Sequence, residues 1–521
     1  MPKGIPVIDL FAGPGGLGEG FTAFKDAKQQ HPFRIALSIE KDPQAHATLE
    51  LRSFFRQFKP RCVPNTYYRF LRGEISRKEL FAANPKEARA ASAEAWQAEL
   101  GSARLSTVRK RISKAIGGLT PWILIGGPPC QAYSVAGRSR NKGVESYDPE
   151  RDVKQTLYVE YLQILADHRP AVFVMENVKG LLSATLSAKR LFERIVEDLR
   201  DPLKAIAREG RTTAAKKGRL SYRIQSLTVD DRQTPLSPAD YLVHAERYGI
   251  PQARHRVILL GVRGDLDCGP PKRLRKRPQV ALKKLFHGLP RLRSGVTRHK
   301  DSTEMWLRVI ESARDRAWLA AVRKNGGARV AHKILSLIEN HPAPRGGRGD
   351  EFIECMSNID YRKDWFLDAR IEGVCNHSSR KHMDSDLHRY LFATCFAAVN
   401  GQSPQLRHFP KRLLPKHSNV ALAVTGTEYF ADRFRVQVAN RPATTITSHI
   451  SKDGHYFIHP DPEQCRSLTV REAARLQTFP DNYFFCGNKT EQYVQVGNAV
   501  PPLLALQIAA IVHDLTGRIR G

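Results

Sequence analysis

Four short stretches carry side chains able to do chemistry on a substrate. In "GGPPCQAYS", Gly126 to Ser134, Cys130 follows two prolines and two glycines behind the apolar run "WILI". Proline fixes φ at about −65° and restrains the residue before it, while glycine lets the backbone pass close to a neighbour. Pro128 and Pro129 therefore make a rigid mount for a thiol at the end of a strand. On this stretch alone a structural turn and a positioned nucleophile are equal readings, because free cysteine is also a small buried hydrophobe. "MENV" puts Glu176 at the end of the apolar strand "AVFVM", where a carboxylate is costly to bury unless it has a task or caps the next turn. In "QARHR", Gln252, Arg254 and Arg256 alternate on the approach to a strand, which sets both guanidinium groups on one face. The plain alternative is the solvated face of an edge strand. Finally, "GPGGLG", Gly13 to Gly18, matches G-x-G-x-x-G after a strand. Glu40 closes the next strand near the spacing of an acid that holds a ribose hydroxyl. This predicts a nucleoside cofactor, without separating NAD from S-adenosylmethionine.

Regular elements must hold these groups in place. "GIPVIDLFAGPGGLGEGFTAF" reads as a buried strand from Ile5 to Phe11, a glycine-rich turn and a helix, followed by the strand "FRIALSIEKD" and the helical "PQAHATLELRSFFRQF". Further strands follow at "WILIGG", "AVFVMENV" and "HRVILLGVR". The alternation predicts an α/β fold with a doubly wound, mostly parallel sheet. Residues Ser76 to Gly117, rich in Ala, Glu, Lys and Arg, read as an insertion of surface helices. From "CGPPKRLRKRPQ" onward the alternation fades into mixed basic sequence up to about Asn440, which predicts a second, smaller domain containing the exposed loop "HPAPRGGRGDEF".

Composition narrows the partners. The 521 residues suffice for two or three domains with real cores. Lys and Arg total 83 against 52 Asp and Glu, a formal net charge of +31, which favours nucleic acid as partner. No long uncharged apolar run or signal sequence is evident, so a soluble, intracellular, cytoplasmic protein is expected. The eight cysteines form no CxxC pair and are expected to be reduced. "CNHSSRKH", with Cys375, His377 and His382, lacks a second ligand pair, so no metal is expected.

The segments "DLFAGPGGLGEGF", "GGPPCQAYSVAGR", "MENVKG", "PQARHRVILLG", "RPATTIT" and "VQVGNAVPPLLA" follow one another in the order and form of a family. In this the chain resembles the DNA cytosine-5 methyltransferases of bacterial restriction-modification or phage-defence loci. The resemblance implies a Rossmann-like, S-adenosyl-L-methionine-dependent methyltransferase fold. Cys130 would be the nucleophile, mounted on Pro128 and Pro129, and Glu176 would face the Watson–Crick edge of a flipped cytosine with Asn177 bracing the backbone. Arg256 would contact the exocyclic oxygen and Arg254, with Gln252, would support the thiolate and its loop. For the cofactor, the resemblance implies Phe11, Ala12, Gly13, Gly16 and Leu17 along the methionine and adenosine ends and Glu40 on the ribose. Asp9, Gly15, Lys41 and Pro128 stand nearby, and Asn498, Ala499 and Val500 come from a returning C-terminal segment. At the third sheet strand, where the family shows an Asp by the adenine, "FLRGEIS" offers Glu74.

The expected organisation is a catalytic domain over 1–286 with the helical insertion at 76–117, a target-recognition domain over 287–464, and a segment over 465–521 that returns to the catalytic domain. Double-stranded DNA is the expected partner of a monomeric enzyme, beside a restriction or defence-system protein and with no membrane. Transfer-RNA methylation is the second enzyme reading, but it belongs to short chains with a small variable region. A catalytically silent DNA-binding regulator is opposed by the intact Cys130, Glu176 and Arg256.

Overall fold

The computed structural model describes residues 4–59, 61–128, 153–186, 189–215, 218–230, 235–340, 344–416, 420 and 431–519. The chain divides into two compact units, Met1–Val63 with Asn84–Pro278 and Ala499–Gly521, and Pro64–Ala83 with Gln279–Asn498. The boundary expected at 286/287 thus falls at 278/279. Residues 465–498 belong with the second unit, and only the segment from Ala499 returns to the first.

The first unit is built on an eight-stranded sheet. Its strands are β1 (Ile5–Leu10), β2 (Phe33–Glu40), β3 (Ala95–Gln97), β4 (Ile123–Gly126), β5 (Val172–Val178), β6 (Tyr222–Gln225), β7 (Leu242–His244) and β8 (His255–Arg263). The order is β3-β2-β1-β4-β5-β8-β6, with β7 also paired to β8. Strands β3, β2, β1, β4 and β5 run parallel, while β8 is antiparallel to β5, β6 and β7. Near-continuous apolar runs such as "ILI" and "VFVM" are what a strand covered on both faces requires. The doubly wound fold expected from the alternation is the one observed.

Helices cover this sheet: α1 (Gly16–Ala23), α2 (Leu105–Ile116), α3 (Val153–His168) and α4 (Pro502–Thr516). Val108, Ile112 and Ile116 of α2 lie at helical spacing and share one core with Leu157, Tyr161 and Leu165 of α3 and with Leu10, Leu37 and Phe173 of the strands. This corrects the reading of Ser76 to Gly117 as surface helices, since the segment supplies the sheet edge β3 and a core helix. The Lys/Arg-rich outer face of α2 masks its narrow apolar stripe, and three residues of strand are too few to show a period of two.

The expectation of no long apolar run is also corrected. Lys489–Thr516 is apolar and long enough to cross a bilayer, but 72% of its apolar window is buried inside the fold. It consists of two helices, Lys489–Asn498 and α4.

The second unit has a helical core. Thr303–Glu311, Ala317–Lys324, Ala328–Glu339 and Asp384–Asn400 enclose Trp306, Trp318, Ile334, Tyr390 and Leu391. The hairpin Gly349–Glu354 with Gly373–Ser378 carries Cys375 and His377 inward. His377 engages Thr469 Oγ1 at 2.9 Å and the Pro290 carbonyl at 2.9 Å through its two ring nitrogens. Burial lowers its pKa to about 4 and that of His382 to about 3. The histidines of "NHSSRKH" are therefore neutral and interior.

Beneath the hairpin lies a buried network of charged groups. In "RSLTVREAARLQTFPD" the helix Val470–Leu476 opens with a reciprocal cap. Thr469 N–H donates to Glu472 Oε2 at 2.8 Å, and Glu472 N–H donates to Thr469 Oγ1 at 3.2 Å. Glu472 also takes a bidentate pair from Arg466 at 2.6 and 2.7 Å, all of it buried. Arg475, fully buried, pairs with Asp481 at 2.6 Å and donates to the Leu285 carbonyl at 2.8 Å. The signal is the T-x-x-E capping box with Arg466 before it and Arg475 after it, each six positions ahead of an acid.

Candidate active site

The site lies in the first unit, at the carboxyl ends of the central strands. The strand order reverses between β1 and β4, and in open α/β sheets ligands bind at such a switch point. Register aligns Leu10 with Gly126 and Gly126 with Met175. The residues that follow, Phe11, Gly127 and Glu176, are thereby side by side along one edge.

The turn after β1 is shaped by backbone geometry. Phe11, Gly13 and Gly15 have φ of 54°, 56° and 97°. A side chain is strained in that region, which accounts for two glycines in three residues. Gly15 caps α1 in the left-handed conformation, and Gly16 and Leu17 open the helix, both buried. Glu40 closes β2, and its carboxylate accepts the Gly13 N–H at 2.8 Å and the Asp42 N–H at 2.8 Å. Each oxygen retains a lone pair. Lys41 is exposed and paired with Glu99 at 3.0 Å.

Glu74 does not stand at the third strand. It follows the short helix Asn65–Leu71 in the second unit and pairs with Arg69 at 3.1 Å and Arg72 at 2.5 Å. The third strand is Ala95–Gln97, paired parallel to β2, so the acid just beyond it is Glu99. "FLRGEIS" misled because its two arginines and glutamate are a local ion cluster rather than a strand end.

Asp9 is buried in β1. Burial raises its carboxyl to about 8, with Arg56 and the Gly18 backbone only partly offsetting this and Glu40 adding to it. The folded pKa lies above the unfolded value, so protonation favours the fold, and the stability it confers is lost as pH rises from about 4 to about 8. Asp9→Asn is expected to gain about 2–3 kcal/mol relative to wild type between pH 6 and pH 8. Urea unfolding at the two pH values measures this, and an unchanged difference would refute the assignment.

At the end of β4, Gly127 faces Glu176 so closely that a Cβ would come within 3.0 Å of its Oε2 and of its carbonyl oxygen. Pro128 is buried, and its carbonyl accepts from Asn177 Nδ2 at 3.4 Å. Asn177 Oδ1 in turn accepts the Val178 N–H at 2.8 Å. Pro129 and Cys130 lie outside the described residues.

Strand β8 supplies Arg256, and Arg254 directly precedes it. Arg256 sits opposite Val178 and hence diagonal to Glu176, and its Nε meets Glu176 Oε1 at 2.6 Å. Arg254 and Gln252 are buried. Burial, reinforced by Arg256, pulls the Arg254 pKa well below its ordinary value, with Glu176 opposing. These arginines are therefore interior groups and not the solvated face of an edge strand. Asn498 ends the helix Lys489–Asn498 in the second unit, whereas Ala499 and Val500, both buried, lead into α4 of the first.

An acid and a guanidinium thus meet on the strands next to the switch point, beside a glycine-lined strand end that leads to a cysteine and a turn suited to a nucleoside. The C-5 cytosine-specific DNA methylase family model matches residues 82–202 and 239–513. The chain belongs to this family. It is 32% identical to type II methyltransferase M.Bpa9945I of Bacillus paralicheniformis over 98% of both chains. It is 24% identical to type II methyltransferase M.AgeI of Thalassovita gelatinovora, covering 97% of this chain and 98% of that one. Among solved structures, a prophage-encoded DNA modification methyltransferase of E. coli aligns over 98% of this chain and 99% of its own at 19% identity, with a TM-score of 0.49. The C-5 cytosine methylase is thus an α/β enzyme related to restriction-modification methyltransferases. The NAD dehydrogenase reading of the glycine motif is set aside.

Proposed function

We propose that this methylase transfers the methyl group of S-adenosylmethionine to carbon 5 of a cytosine flipped out of duplex DNA, with Cys130 as the covalent nucleophile. The observation that carries the reading is the Glu176–Arg256 pair at 2.6 Å beside the strand end that leads into Cys130. Carbon 5 of cytosine is a poor nucleophile. Addition of the Cys130 thiolate to carbon 6, with the Glu176 carboxyl relieving charge at ring nitrogen 3, turns carbon 5 into an enamine carbon. Arg256 orients Glu176 and faces the exocyclic oxygen, while Asn177 ties the end of β5 to the Pro128 carbonyl. After methyl transfer, loss of the proton from carbon 5 expels the thiolate and restores the ring. Flipping a base into such a pocket is what chemistry on a stacked base requires.

The residues present fit S-adenosylmethionine. Glu40, held by two backbone N–H groups with lone pairs to spare, suits the ribose hydroxyls, and the turn from Phe11 to Leu17 suits the methionine and adenosine ends. Asp9, Lys41, Pro128, Ala499 and Val500 of the same unit complete the set, with Glu99 in place of Glu74 as the acid nearest the adenine. When bound, the cofactor supplies an electrophilic sulfonium methyl. Glu40→Ala is expected to weaken its binding by about 1–3 kcal/mol through lost charge-assisted hydrogen bonds, read by calorimetry.

The second unit, in particular the region from His287 to Asn440, reads the flanking base pairs, and the protein acts as a cytoplasmic monomer on DNA beside a restriction nuclease or other defence protein. Bisulfite sequencing of DNA from an expressing host tests the function. Protected cytosines within one recurring sequence support it, and protection confined to RNA would replace it with the transfer-RNA reading.

A further inference from the structure

Outside the groups used above, the first unit holds another cluster of potential ligands, formed across the β7–β8 pair. His244, the last residue of β7, stands directly opposite His255 of β8, their ring centroids 4.1 Å apart. Glu246 follows in the turn Ala245–Arg247, which is pinned to β8 by the Ala245 N–H donating to the Arg254 carbonyl at 3.1 Å. One Glu246 oxygen, Oε1, lies 3.0 Å from His255 Nε2 and 3.7 Å from His244 Nδ1. The three ligand atoms are all within 4.8 Å of one another. The other oxygen, Oε2, is buried with no hydrogen-bond partner among the described residues. A buried carboxylate oxygen without a donor is costly, and a cation would remove that cost.

We propose that His244, Glu246 and His255 form a site for one divalent transition-metal ion of the zinc type. Two imidazoles and one carboxylate are a donor set that such ions take, with the fourth tetrahedral position left open to solvent. All three side chains are partly exposed, which gives an ion a path in. Lys179 and Arg247 weaken the attraction for a cation, and Glu246 supplies the compensating charge.

The site has a consequence for the reaction centre. His255 lies between Arg254 and Arg256, and Arg256 pairs with Val243 of β7 in the next register position. An ion bridging His244 and His255 would clamp β7 to β8 at the point where β8 presents Arg256 to Glu176. The ion touches no reacting atom and holds the strand that positions one of them.

The test uses the full chain, stripped with chelator and titrated with cobalt(II) chloride. The expected result is saturation at one equivalent with the intense visible bands of four-coordinate cobalt, displaced by zinc chloride. His244→Ala is expected to weaken binding by at least about tenfold. Glu246→Gln, which keeps the shape and removes the charge, should also weaken it, and Cys375→Ser should not. Circular dichroism establishes that each variant is folded, and zinc should raise the melting temperature of wild type but not of His244→Ala. Absence of saturable four-coordinate cobalt in wild type, or equal binding by folded His244→Ala, would overturn the proposal. Sulfur-to-cobalt charge-transfer bands would also overturn it, because they would place the ion on cysteine.

Discussion

Replacing Cys130 by serine is expected to lower methyl transfer by several orders of magnitude while leaving S-adenosylmethionine binding nearly unchanged. The reason is chemical. A thiol of ordinary pKa is already a few per cent thiolate near neutral pH and intrinsically nucleophilic, whereas a serine hydroxyl is scarcely ionised and needs a strong base beside it. Glu176 cannot be that base, since its carboxylate is engaged by Arg256 and its role is at ring nitrogen 3 of the cytosine. Single-turnover transfer of radiolabelled methyl to duplex DNA measures the effect, with calorimetry on the same variant for the cofactor. Turnover within tenfold of wild type would mean that Cys130 is not the nucleophile.

The second large effect concerns stability and lies far from the chemistry in sequence. Glu472→Gln is expected to destabilise the second unit by about 3–5 kcal/mol, because it leaves the buried Arg466 guanidinium without its counter-charge. Burial alone would raise the Glu472 carboxyl, but the charge of Arg466, with His459 and the hydrogen bonds from Arg466, pulls it well below the ordinary range. Against a total stability of about 5–15 kcal/mol such a loss is severe. Replacing both partners with apolar residues, Arg466→Met with Glu472→Leu, is expected to recover much of it, since a matched apolar pair leaves no buried charge. Chemical denaturation of the three proteins decides between these outcomes. A Glu472→Gln protein within about 1 kcal/mol of wild type would show that solvent reaches Arg466.

Both expectations bear on what the sequence discloses. Strand β1, its glycine turn and Glu40 are legible because apolar period, φ-permissive residues and a strand-end acid coincide within 40 residues. Glu176 and the arginines of "QARHR" are legible for the same reason, each sitting at the end of an apolar run that must be a buried strand. Strand β3 is not, because Ala95–Gln97 has neither length nor β-branched residues and sits among helix formers. Its loss displaced the third-strand acid from Glu99 to Glu74 and turned a core helix into a surface insertion. Arg466, Arg471 and Arg475 look like a solvated helix face until their partners, Glu472 and Asp481, are placed in space. His244, Glu246 and His255 are separated by ordinary residues and meet only through the register of β7 and β8.

The most direct test of the catalytic chemistry is trapping on a duplex whose target cytosine carries fluorine at carbon 5. The thiolate adds to carbon 6 and the methyl is transferred, but fluorine cannot leave as a proton does, so release of the enzyme is blocked. The expected result is a denaturant-resistant complex, formed only with S-adenosylmethionine present, whose DNA-linked peptide maps to Cys130. Natural DNA methylated at cytosine carbon 5 with no trapped complex, or a linked peptide that maps elsewhere in the chain, would contradict covalent catalysis by Cys130.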